Sequence, residues 1–338
     1  MYAEAPPLAL TLGDPAGIGP DIALLAWARH RAELPPFVLV GDARVLAERA
    51  RLLQIDIPFE EVTQPGAASG RFDRAFPVLP VPGLGRVLPG HPDEASAPAV
   101  RASIERAVAL VQAGVARAVV TNPISKAVLY GAGFPFPGHT EFLAFLAGGA
   151  TPPQPVMMLA SPTLKAVPVT IHVPLKDVPS LLTRELILTT LEITARDLRR
   201  RFRVAQPRLA VTGLNPHAGE EGTMGREESE IIVPAIEAAR AKGLDVTGPQ
   251  PADTLFHTAA RKEYDVAICM YHDQALIPFK TLAFEEGVNV TLGLPFVRTS
   301  PDHGTAFALA GTGKANPRSL IEALKLASSM SSQAEDKA

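Results

Sequence analysis

The sequence predicts an α/β protein of two lobes, each built around a mostly parallel sheet. The chain has 338 residues, which exceeds the usual length of one compact domain. Short apolar runs alternate with amphipathic stretches, the pattern that βαβ units produce. Because elements of this length must cover both faces of a sheet to bury their apolar surface, we expect helices on both sides.

The elements can be placed from this alternation. Predicted strands cover residues 8–12, 37–40, 118–121, 156–159, 166–171, 208–212, 266–270 and 288–292. Predicted helices cover residues 21–29, 43–53, 97–113, 184–202, 227–242 and 318–329. The Pro/Gly-rich stretch from about residue 60 to 92 predicts irregular loop or a connection between lobes.

Composition excludes several classes of function. Hydrophobic residues make up 47% of the chain and charged ones 20%, which is typical of globular proteins and not of disorder. A net charge of -3 provides no basic field to hold nucleic acid. Four tyrosines and one tryptophan are too few for a platform that stacks single-stranded bases.

The cellular location is predicted from segments that the sequence lacks. We find no run of about eighteen apolar residues and no basic-then-apolar leader, so we expect no membrane partner. The one cysteine, Cys269, fits a reducing compartment and lies in an apolar strand run, where we expect it to pack. These features favour a cytoplasmic protein.

Three histidines follow three different predicted strands. His172 follows strand 166–171, His217 follows strand 208–212 and His272 follows strand 266–270. Ligands of open parallel sheets collect beyond the carboxyl ends of the strands. One such histidine is more simply a capped or partly buried imidazole, but three at equivalent strand ends favour a shared divalent metal. Imidazole suits Zn, Co or Ni better than Mg.

A glycine turn, G-D-P-A-G-I-G-P, joins the first strand to the first helix. Gly13, Gly17 and Gly19 do not follow the G-x-G-x-x-G spacing, so the dinucleotide fingerprint is absent. The turn is either a tight connection alone or a place where backbone amides meet an anion.

Polar residues late in the chain are candidates for binding an anion. Arg298 begins the string R-T-S-P-D-H-G-T-A, which contains more polar groups than an ordinary loop. Lys280 and Asn289, with His139 and Thr140, add further donors suited to a phosphate or carboxylate. Each of these residues, taken singly, is more often a surface charge or a turn cap.

The motifs taken together resemble the 4-hydroxythreonine-4-phosphate dehydrogenase family of pyridoxal phosphate biosynthesis. They are G-D-P-A-G-I-G-P, G-H-T-E-F, N-P-H-A-G-E, A-D-T-L-F, M-Y-H-D-Q, N-V-T-L-G-L-P-F and D-H-G-T-A. They are long and collinear and run from about Leu8 to Leu326, nearly the whole chain.

The resemblance implies a role for each matching residue. His172, His217 and His272 would hold one divalent metal, Zn, Co or Mg. His139, Thr140, Lys280, Asn289 and Arg298 would contact the substrate. Asp253 and Asp273 would keep the site organised and are candidates for the general base, with Lys126 as a third candidate from its strand-end position. The family forms homodimers whose site draws residues from both subunits.

The implied reaction is oxidation of 4-phosphohydroxy-L-threonine by NAD or NADP. The product, 2-amino-3-oxo-4-(phosphooxy)butanoate, then decarboxylates to 3-amino-2-oxopropyl phosphate. Relatives with the same histidines act on threonate-type 4-phosphates or dihydrodiols, and no residue here excludes them. A non-catalytic sensor of a phosphorylated metabolite is the alternative from another class.

The implied fold is isocitrate/isopropylmalate dehydrogenase-like, with two α/β/α lobes and a cleft between them. Such enzymes bind the dinucleotide without a Rossmann fingerprint. The string at residues 302–317 is similar to their cofactor loop, which makes His303, Gly304, Thr305, Ala306 and Asn316 the candidate cofactor residues; the alternative is a structural turn. Residues 1–125 with 285–338 would form the cofactor-side lobe, and residues 126–284 the metal and dimer-interface lobe.

Overall fold

The computed structural model describes residues 5–332, which divide into two compact units. Unit 1 contains the chain up to Pro155 together with the chain from Leu294 onward, and unit 2 is Val156–Gly293. The sequence analysis placed the two points at which the chain passes from one unit to the other near residues 125 and 284. The assignment of cofactor to one region and metal to the other stays a prediction.

The elements are numbered in chain order. The strands are β1 Leu8–Thr11, β2 Phe37–Gly41, β3 Phe59–Glu61, β4 Phe76–Pro80, β5 Val119–Val120, β6 Val156–Ala160, β7 Lys165–Pro168, β8 Arg208–Thr212, β9 Asp245–Gln250, β10 Val266–Cys269, β11 Val288–Leu292 and β12 Arg298–Pro301. The helices are α1 Gly19–His30, α2 Ala43–Leu52, α3 Ala97–Gln112, α4 Lys126–Gly131, α5 His139–Gly148, α6 Val178–Leu181, α7 Arg184–Phe202, α8 Val233–Ala241, α9 Ala252–Leu255, α10 His272–Ala283 and α11 Arg318–Ser331. A π-helical segment, Glu228–Ile232, leads into α8.

Unit 1 contains a parallel sheet in the order β3-β4-β2-β1-β5-β12. From β1 the chain moves outward on one side, through β2 to β3 and β4, and then crosses to β5 on the other side of β1. The carboxyl ends of β1 and β5 therefore flank a topological switch point, where open α/β sheets bind their ligands.

Helices cover both faces of this sheet, as the sequence predicts. On one face α3 contacts β1 and β2, and its Ile104 and Val108 join Phe142 of α5 in one buried cluster. On the other face α11 contacts β12 and β5, and α1 contacts both α2 and α11. The predicted parallel sheet with two covered faces is confirmed in this unit.

Unit 2 contains strands in the order β11-β6-β7-β10-β8-β9. Strands β7, β10, β8 and β9 run parallel, whereas β6 pairs antiparallel with both β11 and β7. Helix α10 contacts β7 and β10, while α7 contacts β6 and β11 and α8 contacts β9. Cys269 is buried in a cluster with Ala166 and Phe279, and burial raises the pKa of its thiol, so its predicted packing role is confirmed.

Each of the eight predicted strands is present, but the interpretation of residues 60–92 as wholly irregular is wrong, although residues 81–87 contain no regular structure. The end of β3 and the whole of β4 lie there, inside unit 1. Strand β4 reads F-P-V-L-P. Proline has no N–H to donate to the hydrogen bonds of a sheet, so its presence argued against a strand here. Strand β12 was missed because its residues are polar, and α10 because Pro278 stands inside it.

None of the helices within residues 5–332 is both long enough and apolar enough to span a bilayer.

A buried ion pair links the loops at the carboxyl edge of unit 1. Arg49 of α2 bonds Asp21 of α1, and its guanidinium also donates to the carbonyls of Gly17 and Pro15 at 2.9 Å. The other oxygen of Asp21 accepts the N–H of Gly311 at 2.7 Å. The pair therefore ties the glycine turn to the loop that precedes α11.

Replacing Arg49 by Met should destabilise the protein by about 3–5 kcal/mol, because Asp21 is left buried without its counter-charge. The exposed pair Arg101–Glu105 provides the control, and Arg101→Met should cost less than about 1 kcal/mol. Urea unfolding of both variants measures the difference. Equal losses would show that the buried pair does not anchor these loops.

Candidate active site

Two of the three predicted metal histidines face each other at the edge of unit 2. Strands β7, β10 and β8 are parallel neighbours, and His172, His272 and His217 follow them in that order. The ring centroids of His172 and His272 are 5.7 Å apart, at an interplanar angle of 42°. Two imidazoles on one tetrahedral ion with Zn–N bonds of about 2.1 Å have centroids roughly 5 Å apart. This pair therefore fits a shared divalent ion.

The two rings line a cavity of about 250 Å³. Its other lining residues are Thr170, Val173, Leu175, Val178, Tyr271 and Asp273. Asp273 Oδ1 lies 2.7 Å from His272 Nδ1. A carboxylate in this position accepts the Nδ1 hydrogen and leaves the Nε2 lone pair for a metal. Asp273, expected as a catalytic residue, thus orients His272.

Two of the histidines have left-handed backbone conformations. The φ angle is 51° at His172 and 52° at His217. For residues other than glycine this conformation costs about 1–2 kcal/mol. Such strain persists only where the surrounding structure enforces it, and it clusters at functional sites.

The third histidine stands apart from this pair. Within residues 5–332, no three His, Cys, Asp or Glu side chains form a group able to hold a metal ion. His217 lies in the Pro216–Gly222 turn, and the exposed Asp253 lies on α9, which contacts that turn. Convergence of all three histidines on one ion therefore stays a prediction.

Unit 1 contains a buried cation beside a buried imidazole nitrogen. Arg298, the first residue of β12, is 4% exposed, and its Nη2 donates to Thr121 Oγ1 at 2.7 Å. Burial lowers the pKa of Arg298 to about 10, so the guanidinium remains charged at neutral pH. Burial, and then the charge of Arg298, hold the pKa of His139 well below its usual 6.5.

The environment of His139 favours an anion. His139 Nε2 is buried and has no hydrogen-bond partner among the described residues. His139 and Thr140 also begin helix α5, whose amino end favours negative charge. Because a buried polar atom without a partner is costly, this nitrogen marks a place for a ligand or water.

Lys126 belongs to the same region and was expected only as a candidate base. It begins α4, and its Nζ would lie 3.5 Å from a Cβ placed on Gly138, the residue before His139. Lys280 and Asn289 belong to unit 2, on α10 and β11, and both are partly exposed. The Nζ of Lys280 lies 5.5 Å from the ring centroid of Phe284.

The two candidate cofactor elements form one surface at the switch point of unit 1. The N–H of Ile18 donates to the carbonyl of Thr305 at 2.9 Å, and a Cβ on Gly17 would lie 3.0 Å from that oxygen. The glycine turn and the 302–317 loop are therefore in contact, and a dinucleotide at this place could meet both.

Individual residues of the 302–317 loop have distinct environments. His303 Nδ1 lies 3.1 Å from the carbonyl of Gly304, and Gly304 itself is exposed. Ala306 is left-handed, with a φ of 42°. Asn316 Oδ1 accepts the N–H of Arg318 at 3.0 Å, which gives Asn316 a structural role at the start of α11.

Sequence reasoning missed two buried polar residues at this switch point. Asn122 packs against Gly13 and Gly19, and its Oδ1 has no hydrogen-bond partner within residues 5–332. Asp14 is buried and accepts the N–H of Ala16 at 3.0 Å, and burial raises its pKa. Their positions directly after the first and third predicted strands were the available signal.

The fold and these polar strand ends define a two-unit α/β protein with candidate ligand sites beyond the carboxyl ends of its parallel strands. The chain belongs to the PdxA family: the family model described as pyridoxal phosphate biosynthetic protein PdxA matches residues 33–327. A relative from Methylorubrum populi named 4-hydroxythreonine-4-phosphate dehydrogenase is 60% identical over 333 residues, which is 97% of this chain and 95% of the relative.

Solved structures agree with this assignment. A 4-hydroxythreonine-4-phosphate dehydrogenase from Klebsiella pneumoniae is 38% identical, has a TM-score of 0.85 and matches over 97% of this chain and 100% of its own. A terephthalate 1,2-cis-dihydrodiol dehydrogenase from Burkholderia xenovorans is 30% identical, with a TM-score of 0.65 over 96% of this chain and 98% of its own. The predicted family, α/β fold class and oxidoreductase class are confirmed.

The lowered pKa of His139 predicts a pH dependence of stability. The folded state favours the neutral imidazole, whereas the unfolded chain takes up a proton near its ordinary pKa. Stability should therefore fall as the pH drops below about 6.5, and His139→Gln should flatten that part of the curve. Urea unfolding across this pH range, with NMR titration of the imidazoles, measures both. A His139 resonance that titrates near 6.5 would contradict the prediction.

Proposed function

We propose that this chain oxidises 4-phosphohydroxy-L-threonine with NAD or NADP, giving a β-keto acid that loses carbon dioxide. The observation that carries the proposal is the position of the buried Arg298 guanidinium near the buried Nε2 of His139, which has no hydrogen-bond partner among the described residues. A guanidinium and an imidazole nitrogen placed in this way favour an anion, and the substrate phosphate is one. Thr140 and Lys126 flank the same place, and Lys280 and Asn289 are the further substrate contacts that the family resemblance implies.

His172, His217 and His272 are the proposed ligands of a divalent ion, for which Zn or Co suits imidazole better than Mg. The ion would supply Lewis acidity, lowering the pKa of the substrate hydroxyl and stabilising charge that develops during decarboxylation. Asp273 fixes the tautomer of His272. Asp253, exposed beside the His217 turn, is the proposed acceptor of the hydroxyl proton.

The dinucleotide is proposed to lie at the carboxyl ends of β1 and β5. The nicotinamide would supply the hydride acceptor. His303, Gly304, Thr305 and Ala306 allow close backbone approach, and the neighbouring glycine turn adds amides at the start of α1. The Oδ1 of Asn122 is an unused buried acceptor at this place, suited to an amide or hydroxyl donor of the cofactor.

We further propose a homodimer whose site draws on both subunits. Leu175, which lines the cavity, is 66% exposed, and Ile277 on α10 and Phe284, the residue that caps its carboxyl end, are 64% and 73% exposed. Residues seven apart lie on the same face of a helix and Phe284 keeps helical backbone angles, so the last two form one apolar stripe. Exposed apolar patches beside a site are typical of interfaces. A second copy would cover them and contribute residues to the site.

A steady-state assay tests the proposed reaction. The purified protein is incubated with Zn, Co or Mg and with NAD or NADP, and 4-phosphohydroxy-L-threonine is compared with threonate 4-phosphate and a terephthalate dihydrodiol. Reduced cofactor should form fastest with the first substrate. Preference for another substrate would reassign the specificity, and phosphate-ligand binding without reduced cofactor would favour the sensor.

The metal proposal predicts that His172→Ala, His217→Ala and His272→Ala each lose bound metal and turnover while keeping the fold. The exposed His30, in unit 1, serves as the control. Metal content after dialysis, measured by mass spectrometry, and circular dichroism separate the two effects. Full metal content in His217→Ala would remove this residue from the ligand set.

The cofactor proposal predicts that Gly304→Val severely weakens NAD(P) binding and leaves metal content near normal. A Cβ at Gly304 meets no atom within 4 Å, so the side chain fits the free protein and would exclude a ligand. Gly70, equally open in unit 1, is the matched control. Calorimetry showing unchanged cofactor affinity in Gly304→Val would move the dinucleotide away from this loop.

A further inference from the structure

The turn that contains His217 is held in an unfavourable conformation. All six residues from 217 to 222 have positive φ angles, and four of them are not glycine: His217, Ala218, Glu220 and Glu221. Each such residue costs about 1–2 kcal/mol relative to a right-handed conformation. Contacts elsewhere must therefore hold the turn in place.

The buried carboxylate of Glu228 supplies those contacts. Its side chain, at the start of the π-helical segment, is 5% exposed. Glu228 Oε1 accepts the N–H of Leu214 and the N–H of Asn215, both at 2.8 Å. Glu228 Oε2 accepts Asn215 Nδ2 at 3.0 Å. One carboxylate thus fixes the backbone between the end of β8 and the left-handed turn.

Two glycines allow the chain to fold closely around this carboxylate. A Cβ on Gly219 would lie 2.5 Å from Glu228 Oε2, and a Cβ on Gly213 would lie 2.7 Å from the Cα of Ala218. The segment 213–219 therefore packs around the Glu228 carboxylate in van der Waals contact, and His217 belongs to this segment.

We propose that Glu228 is a positioning residue that sets the His217 imidazole for metal binding. The inference rests on the proposed role of His217 as a metal ligand. With the carboxylate present, the folded protein already contains the left-handed turn, and an arriving ion need not impose it. Without the carboxylate the turn relaxes toward right-handed conformations, and the metal must supply the strain energy itself.

Metal affinity tests the proposal independently of turnover. In Glu228→Gln the amide keeps one oxygen for the two backbone N–H groups but turns an NH₂ group toward Asn215 Nδ2. In Glu228→Ala the contacts are lost altogether. We expect affinity for Co²⁺ or Zn²⁺ to fall about 10–100-fold, with the larger loss in Glu228→Ala. Calorimetry gives the affinity, and the visible spectrum of bound Co²⁺ should change with its coordination.

Glu230→Gln is the matched control, because Glu230 lies on the same segment, is exposed and pairs only with the exposed Arg226 among the contacts described here. Gly213→Ala keeps the glutamate at 228 but perturbs the turn from the other side. Its Cβ would lie 2.7 Å from the Cα of Ala218 and 3.1 Å from Glu228 Oε1, so it should weaken metal binding too. These variants decide the matter if Glu228→Ala does not fold.

The outcomes separate this inference from the function on which it rests. If the unaltered protein and His217→Ala bind metal equally, the ligand role of His217 fails, and the positioning role of Glu228 fails with it. If His217→Ala loses metal while Glu228→Gln and Gly213→Ala bind as tightly as the unaltered protein, the positioning role alone is overturned. A lower melting temperature with unchanged metal affinity would make Glu228 a structural residue only.

Discussion

The candidate metal site in unit 2 and the candidate cofactor site in unit 1 depend on one constraint: neighbouring parallel strands end at the same edge of the sheet. In unit 2, Ala267 of β10 is paired with Ala166 of β7 and with Ala210 of β8, so the three strands run in level register. Residues a few positions beyond their ends must then leave the sheet at one edge. In unit 1 the same constraint places Asp14 and Asn122 together after β1 and β5. Parallel topology thus brings together residues far apart in sequence before any side chain interacts.

Several groups of the candidate sites destabilise the folded protein by themselves. His139 Nε2 and Asn122 Oδ1 are buried without hydrogen-bond partners among the described residues, and the His217 turn is left-handed. The buried pair of Arg49 and Asp21, in contrast, is satisfied by mutual and backbone hydrogen bonds. This contrast separates polar residues that hold loops in place from polar atoms that are available to a ligand.

The sequence predicted those parts of the fold in which local pattern and tertiary environment agree. Apolar runs such as β2 and β10 are buried as their composition suggests. Strand β12 is buried although it reads R-T-S-P, and its position is set by pairing with β5. Helix α10 tolerates Pro278. Such elements depend on contacts distant in sequence, which local periodicity does not encode.

The residues of the candidate sites were also predicted only in part. Strand-end position alone indicated His172, His217 and His272, and the structure brings the rings of His172 and His272 together. The substrate and cofactor residues came from family motifs, and no local pattern implied that Arg298 lies near His139. Glu228 carries no signal of its own, because a glutamate in an E-E-S-E run reads as a solvated helix face. Its role depends on a backbone conformation that the sequence does not reveal.

The anion site also bears on specificity between the two kinds of substrate named for similar proteins. Arg298 stays charged at neutral pH because its pKa of about 10 lies well above that range. Both kinds of substrate are anionic, since the dihydrodiol of terephthalate keeps two carboxylates, so the charge of Arg298 alone does not separate them. A phosphate dianion beside His139 raises the pKa of the imidazole and favours its protonation, whereas a carboxylate with a single negative charge does so less. Under the proposed function, the preference for a phosphorylated substrate therefore depends on His139 acting together with Arg298.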